Sequence, residues 1–449
     1  MNLPAPRQAS GFPAAPGSAR RWVVYILLTA ALASSVLLRG GVVPSQWVWV
    51  ALGVATASCL ALWRTGVRRA GPQDPWCGAI LVLLLAWMAL QLVPLPPGLV
   101  AFLSPGRFAA VEAARAVTGA DTRSWIALSL APAATLERLL FVAPAMAAFL
   151  ACGAGTLARS RLSVGWLAAA PVVAIALLEA VLGMLQCFGA HAGWASGTYV
   201  NPNHFAGLLE LAFPFAAIAA VLAWKEGAVF RGLALSMAAA CLLAGILLSL
   251  SRMGMVATLA AATIAGLAAF TPHRRSRWLI AILVPVIAFA VLAPNQLVSR
   301  FARLSASQGL SQEGRIAIWS DTLHVISAYP WTGCGLGAYQ RGLYEFKHVA
   351  PLNTVDYAHN DYLQILAELG IPGALLFAAL AVFVLRRTLT VVLTRRDDPN
   401  WGLALGILGA LLAAGIHSLA DFNLYIPANA LALAWLAGTA CAIEPTRVP

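Results

Sequence analysis

The sequence predicts an all-α integral membrane protein with about twelve transmembrane helices and one long, partly helical periplasmic loop. Three observations carry that prediction. Of the 449 residues, 61% are hydrophobic and only 10% charged, with a mean hydropathy of +0.81, too few charges to cover a water-facing surface. The apolar residues fall into runs long enough to cross a bilayer, divided by short polar joints. The basic residues gather in alternate joints, which is the pattern of cytoplasmic span ends. That pattern also explains the formal net charge of +12, so no nucleic-acid partner is expected.

Residues 1–21, rich in Pro, Ala and Gly and ending in Arg20–Arg21, are expected to form a disordered cytoplasmic tail. The apolar run that follows is long and lacks a small-residue cleavage site, so it is expected to stay as the first span. Residues 22–293 are expected to hold nine spans, near 22–38, 43–63, 77–93, 138–157, 164–186, 204–223, 232–250, 254–270 and 278–293. Residues 294–361 form the periplasmic loop, with a helical pattern over Ile316–Ala328 and a compact turn through Tyr329–Tyr339. Three more spans, near 362–385, 401–420 and 427–443, fill residues 362–443, and 444–449 is a short cytoplasmic tail. A second outer segment, 94–137, carries an amphipathic stretch around Val111–Val117. Arg64, Arg68, Arg69, Arg159, Arg161, Arg274, Arg275, Arg386 and Arg387 all fall on one side, while the short outer joints hold only Arg39 and Arg252. Both termini are therefore expected inside. The seven cysteines show neither a metal-ligand spacing nor a disulfide framework, and a bridge between Cys187 and Cys334 is not expected.

The chemistry centres on Asp356–Gly373, DYAHNDYLQILAELGIPG. His359 stands just ahead of a helix that Asn360 or Asp361 can cap, and Leu363, Ile365, Leu366, Leu369 and Ile371 carry that helix into hydrocarbon. An imidazole titrates near neutral pH, so at this boundary it suits the removal of a proton from a hydroxyl. Asp356 and Asp361 are candidates to orient it, and Tyr357 and Tyr362 to stack on a sugar; the plainer reading is a structural loop histidine. Arg252, in the tight SLSRMG turn, and Arg315, at the head of the loop helix, suit a diphosphate, because guanidinium offers a planar fork and never deprotonates. The plainer reading has both reaching lipid headgroups.

Four further groups are candidates for a substrate cavity. His417 and Asp421 share a helix face at i,i+4. Asn203 and His204 open the sixth span, Glu210 lies inside it, and Glu179 with Gln186 marks one face of the fifth. Acids within hydrocarbon face a bundle interior or a wet cavity; helix–helix hydrogen bonding is the alternative. The chain has no phosphate-binding loop, no GxGxxG opening a helix and no outer DxD pair, and Asp397–Asp398 lie on the cytoplasmic side. No metal and no cofactor is therefore expected, and arginine is left to stabilise a leaving phosphate.

Four motifs in order, SLSRMG, EGRIAIWSDTLHVISAYPWTGCGLGAY, AHNDYLQILAELGIPG and HSLADFNLYIPAN, resemble the O-antigen ligase and O-antigen polymerase family of bacterial membrane glycosyltransferases. The likeness is densest over about 195–430 and, through the span layout, extends over the chain. It implies the fold of lipid-linked-sugar glycosyltransferases in the bacterial inner membrane, and a donor glycan on undecaprenyl diphosphate. It also implies transfer on the periplasmic face, to lipid A–core by a ligase or to a second lipid-linked glycan by a polymerase, in lipopolysaccharide or surface polysaccharide biosynthesis. By motif, His359 is the base on the acceptor hydroxyl, and Arg252 and Arg315 hold the donor diphosphate in a metal-independent, inverting displacement. The protein-glycosylating relatives often carry an additional C-terminal periplasmic domain, whereas this sequence ends at Pro449, shortly after its last expected span. The pattern of the cell-shape peptidoglycan polymerases is not seen. A glycan-lipid flippase or exporter is the competing reading from another class, favoured by Glu179 and Glu210; it predicts internal repeats and essential residues at the midplane, and no convincing repeat is present.

Overall fold

Long apolar stretches close their backbone hydrogen bonds within themselves, as hydrocarbon demands, and some do so around an interior proline such as Pro144, Pro171 or Pro214. In the computed structural model they form a helical bundle. The structure describes residues 18–63, 75–119, 124–153, 165–188, 193–269, 312–348, 354–394 and 398–443. The apolar helices are α1 (Ser18–Leu37), α2 (Pro44–Leu62), α3 (Pro75–Leu90), α6 (Pro132–Gly153), α7 (Gly165–Phe188), α8 (Pro202–Lys225), α9 (Val229–Leu248), α10 (Arg252–Ala269), α13 (Asp361–Thr394), α14 (Trp401–His417) and α15 (Pro427–Ala442). Between them lie α4 (Pro97–Leu103), α5 (Pro105–Thr118), α11 (Gln312–Ala328) and α12 (Tyr339–Leu343).

Among the described residues, 7 helices are long and apolar enough to cross a membrane, and α3, α10, α14 and α15 are shorter apolar helices. The protein is a multi-pass, mostly helical membrane protein. The span expected at 278–293, most of the first tail and the end of the chain lie outside the described residues. Helix α1 begins at Ser18 rather than at residue 22, because a helix continues past its apolar stretch into the charged boundary.

The core lies where α6 packs on α15 and α14 packs on α8 and α10. Small residues set the α8–α14 spacing: a Cβ on Gly406 would meet Phe215 at 2.5 Å, and one on Gly409 would meet Pro214 at 2.7 Å. Without those side chains the two backbones approach closely, as helices do in membranes. The described parts of segment 94–137 have structure of their own. Its strands β1 (Pro94–Leu95) and β2 (Ile126–Ala127) pair antiparallel, and α5 covers the amphipathic stretch. The segment from α11 to α13 has a small core of its own, built on Ile318, Val325, Tyr329, Tyr339 and Leu343. All seven cysteines are unbridged.

One difference from the expectation bears on the site. The helix from Asp361 does not run unbroken into the membrane: Gly370 takes φ 65°, ψ −176°, and the chain restarts around Pro372. Only glycine holds that conformation readily, and a Cβ there would meet the Trp331 carbonyl oxygen at 2.5 Å. The backbone groups around the break are taken up by the preceding loop: Cys334 N–H donates to the Ala367 carbonyl (2.9 Å), Gly335 N–H to Glu368 (3.1 Å), and Ile371 N–H to Pro330 (2.8 Å). The first turns of α13 therefore form a short helix clamped by the loop.

Candidate active site

The start of α13 is fixed by its two polar residues. Asn360 Oδ1 accepts from the Leu363 N–H (3.0 Å) and its Nδ2 donates to the Leu419 carbonyl (2.9 Å). The Asp361 N–H donates to the carbonyls of Ser418 (2.9 Å) and Asp421 (3.1 Å). Its Oδ2 accepts from Ser418 Oγ (2.8 Å) and the Leu424 N–H (3.2 Å). Together they staple the turn after α14 to the head of α13. His359, one residue earlier, sits in the left-handed region at φ 52°, uncommon for a side-chain-bearing residue. Its neighbour Ala358 is held on both sides, by Gln364 Oε1 (2.6 Å) and Trp319 Nε1 (3.0 Å). The His359 ring stays 24% exposed, with Nδ1 3.8 Å from Asp421 Oδ1.

Asp421 is the hub. His204 Nε2 lies 3.8 Å from its Oδ1 and His417 Nε2 3.8 Å from its Oδ2, so three imidazoles face one buried carboxylate. Burial opposes its ionisation, yet the ring nitrogens of His204, His359 and His417 hold the carboxyl well below its ordinary range. Phe422 supplies the floor, meeting His204 edge-on at 4.7 Å and His359 at 4.9 Å, with Tyr357 stacked at 4.1 Å. Behind the hub, His417 Nδ1 lies 3.0 and 2.9 Å from the two oxygens of Glu210, a contact that the close α8–α14 packing makes possible.

The structure gathers His204, Glu210, His359, Asn360, Asp361, His417 and Asp421 at one end of the bundle. Arg315 joins them: its Nη1 donates to the Ala420 carbonyl (2.8 Å), and its buried Nε has no hydrogen-bond partner among the described residues. Arg252 is exposed at the head of α10, after a turn in which Leu250 has φ 59° and Ser251 Oγ caps Gly254 N–H (3.1 Å). That turn stands close to the His204 end of α8, since a Cβ on Gly254 would meet Ala206 at 2.8 Å. Asn203 uses its N–H on Asn201 Oδ1 (2.9 Å), in the cap of α8. Glu179 is one step removed, binding the Thr198 N–H (2.8 Å) and hydroxyl (2.9 Å), while Gln186 on the same face holds Ser196 and Gly197. Asp356 is exposed. The carboxylate that faces the His359 ring is thus Asp421, and Asp361 acts on the turn that carries it.

Several residues were not singled out from sequence. Arg138 donates to Tyr357 Oη (2.8 Å) and to the Tyr425 carbonyl (3.3 Å), bracing the aromatic floor. Glu368, buried beneath the site, accepts from Tyr425 Oη (2.8 Å) and Gln364 Nε2 (2.8 Å). An acid within an apolar run is a signal that applies to Glu368 as well as to Glu179 and Glu210. A cavity of about 610 Å³ opens beside these residues. Leu84, Phe149, Phe377 and Leu385 line its apolar length, and Arg138, Tyr362, Ser418 and Tyr425 stand at its polar end. Among the described residues, no three His, Cys, Asp or Glu side chains are arranged to hold a metal ion.

Residues 237–378 match the model of a family described as O-antigen ligase. The match includes Arg252, Arg315 and His359 and stops short of Asp421. No curated protein matches the chain.

Proposed function

We propose that this chain, which carries the O-antigen ligase family segment over residues 237–378, transfers a glycan from undecaprenyl diphosphate to a sugar hydroxyl of lipid A–core. The reaction runs on the periplasmic face of the bacterial inner membrane, with both termini of the chain inside. The observation that carries the reading is the His359 ring, partly open to an incoming hydroxyl and backed by the buried carboxylate of Asp421 at 3.8 Å. With Nδ1–H turned to Asp421, Nε2 keeps its lone pair for the acceptor.

The acceptor oxygen attacks the anomeric carbon as Nε2 takes its proton. The bond from that carbon to the diphosphate oxygen breaks, and the diphosphate leaves with the electron pair. Attack opposite the leaving group inverts the anomeric centre. Arg252 and Arg315 hold the diphosphate and stabilise the charge that grows on it, so the step runs without a metal. The apolar cavity beside Arg138 has room for part of the lipid carrier, and a bilayer offers it little else but hydrocarbon chains.

Ligase and polymerase differ in acceptor and share this machinery; the description of the matched family favours the ligase. The test offers lipid A–core and a second undecaprenyl-linked glycan separately to purified protein. Product on lipid A–core is the expected result. Lengthened lipid-linked glycan would assign a polymerase, and donor binding with no transfer to either would turn the reading to an exporter.

A further inference from the structure

The Glu210–His417 pair takes no part in the step above, yet it joins two ionisable side chains, 1% and 0% exposed, on neighbouring membrane helices. Such groups are expensive in hydrocarbon and rare there, and they mark candidate functional sites. The His417 ring stands between two carboxylates, with Nδ1 2.9 Å from Glu210 and Nε2 3.8 Å from Asp421. Nδ1 is hydrogen-bonded to Glu210 while Nε2 faces Asp421 across a wider gap, and a ring set between two buried carboxylates is suited to carry the positive charge of the imidazolium. Asp421 alone behind His359 would favour a protonated His359, and a protonated ring accepts nothing. A second imidazolium on the far side of the same carboxylate takes up part of its charge.

We propose that His417, anchored by Glu210, is a positioning residue that keeps His359 in its neutral, proton-accepting form at neutral pH. The proposal rests on the reading of His359 as the base. Among the described residues, the charged and titratable groups around Asp421 come from four helices. Helix α8 brings His204 and Glu210, and α14 brings His417. Asp361 from α13 is tied to Ser418, and Arg315 from α11 reaches the Ala420 carbonyl. Among the described residues, only His417 pairs an imidazole nitrogen facing Asp421 with a second one on a buried acid.

The test follows modification of His359 by diethyl pyrocarbonate against pH, read by peptide mass spectrometry on full-length protein in nanodiscs. The reagent reacts with neutral imidazole and needs no glycan transfer to report. His348, 77% exposed on the loop, serves as the internal reference. E210Q/H417Q removes both charges but keeps a hydrogen-bonding pair; H417Q alone is the second variant, its lone Glu210 expected to protonate in hydrocarbon. The imidazolium lost at about 8 Å is partly offset by the Glu210 charge lost about 4 Å farther off, so at effective dielectrics of about 20–80 the His359 midpoint is expected to rise by about 0.1 to 0.5 pH units. His348 should stay where it is, and the acid limb of kcat/KM for transfer should rise with His359 while KM changes little.

A His359 midpoint that stays put or falls in folded variants, judged by their thermal transitions, overturns the proposal. A midpoint that rises in a protein with no transferase activity upholds the coupling and sinks the transfer reading instead.

Discussion

Replacing Asp421 by Asn tests the site at its hub. The side chains are nearly the same shape, and Asn Oδ1 can still accept from the Phe422 N–H that Asp421 Oδ1 holds at 2.9 Å. The charge is what is lost. At the 3.8 Å that separates Asp421 from His359, two unit charges attract by about 1 kcal/mol at the dielectric of water and by about 4 kcal/mol at an effective dielectric of 20. In the proposed step the imidazolium forms as His359 takes the acceptor proton, so this attraction would act in the transition state and hardly on donor binding. Those limits correspond to rate losses of about fivefold and about 10³-fold. Because a quarter of the His359 side chain meets solvent, screening keeps the expected loss in kcat at about 10- to 100-fold. The assay is initial-rate glycan transfer with saturating donor, with KM measured alongside. A D421N protein that kept more than half of wild-type kcat while folded would refute the reasoning, and so would a loss confined to donor KM.

The other expectations are narrower. The Asp421 carboxyl sits below its ordinary range in the folded protein, so its contribution to stability is fully present above the unfolded value, about pH 4, and is lost as pH falls through the native one. The stability difference between wild type and D421N, from thermal unfolding in detergent, should therefore be present at about pH 5 and shrink as the pH falls below about 4; a difference that stayed undiminished in strong acid would contradict this. G370A should lower stability by at least about 2 kcal/mol, since the backbone there suits only glycine, and an unchanged thermal transition would argue against the break in α13. R315K should reduce kcat/KM about ten- to hundredfold, because lysine cannot hold the Ala420 carbonyl and a phosphate oxygen with one planar fork; full activity would remove Arg315 from donor binding.

The bundle was legible because hydrocarbon asks only for long apolar runs, and those are visible in sequence. What hydropathy leaves out is where such a run breaks. Gly370 followed two residues later by Pro372 is a helix stop followed by a helix start, but inside an apolar stretch it reads as a tolerated interruption. His359 was legible from its place at a helix head. Its carboxylate was not, because Asp356 and Asp361 are near in sequence while Asp421 is near in space. Nothing local to DYAHND says that its carboxylates turn elsewhere; that follows from Asp361 being committed to Ser418 and Leu424. Glu210 and His417 were recognisable singly as polar groups in apolar helices, and their meeting depends on glycines in α14 that admit Phe215 and Pro214. Arg138 is not legible in the sequence because it stands at the edge of an apolar run, where a basic residue is ordinary, and only the fold brings Tyr357 and Tyr425 to it.

The central claim is that His359 accepts the proton of the attacking hydroxyl, and the direct measurement is the rate of glycan transfer by His359→Ala beside wild type. Both proteins would be in nanodiscs with undecaprenyl-diphosphate glycan and lipid A–core, matched for thermal transition and for donor binding. The account predicts a loss of about 10²–10⁴ in rate with donor affinity little changed. A folded variant that transferred glycan within twofold of wild type would contradict it, and the chemistry would then have to be sought away from His359.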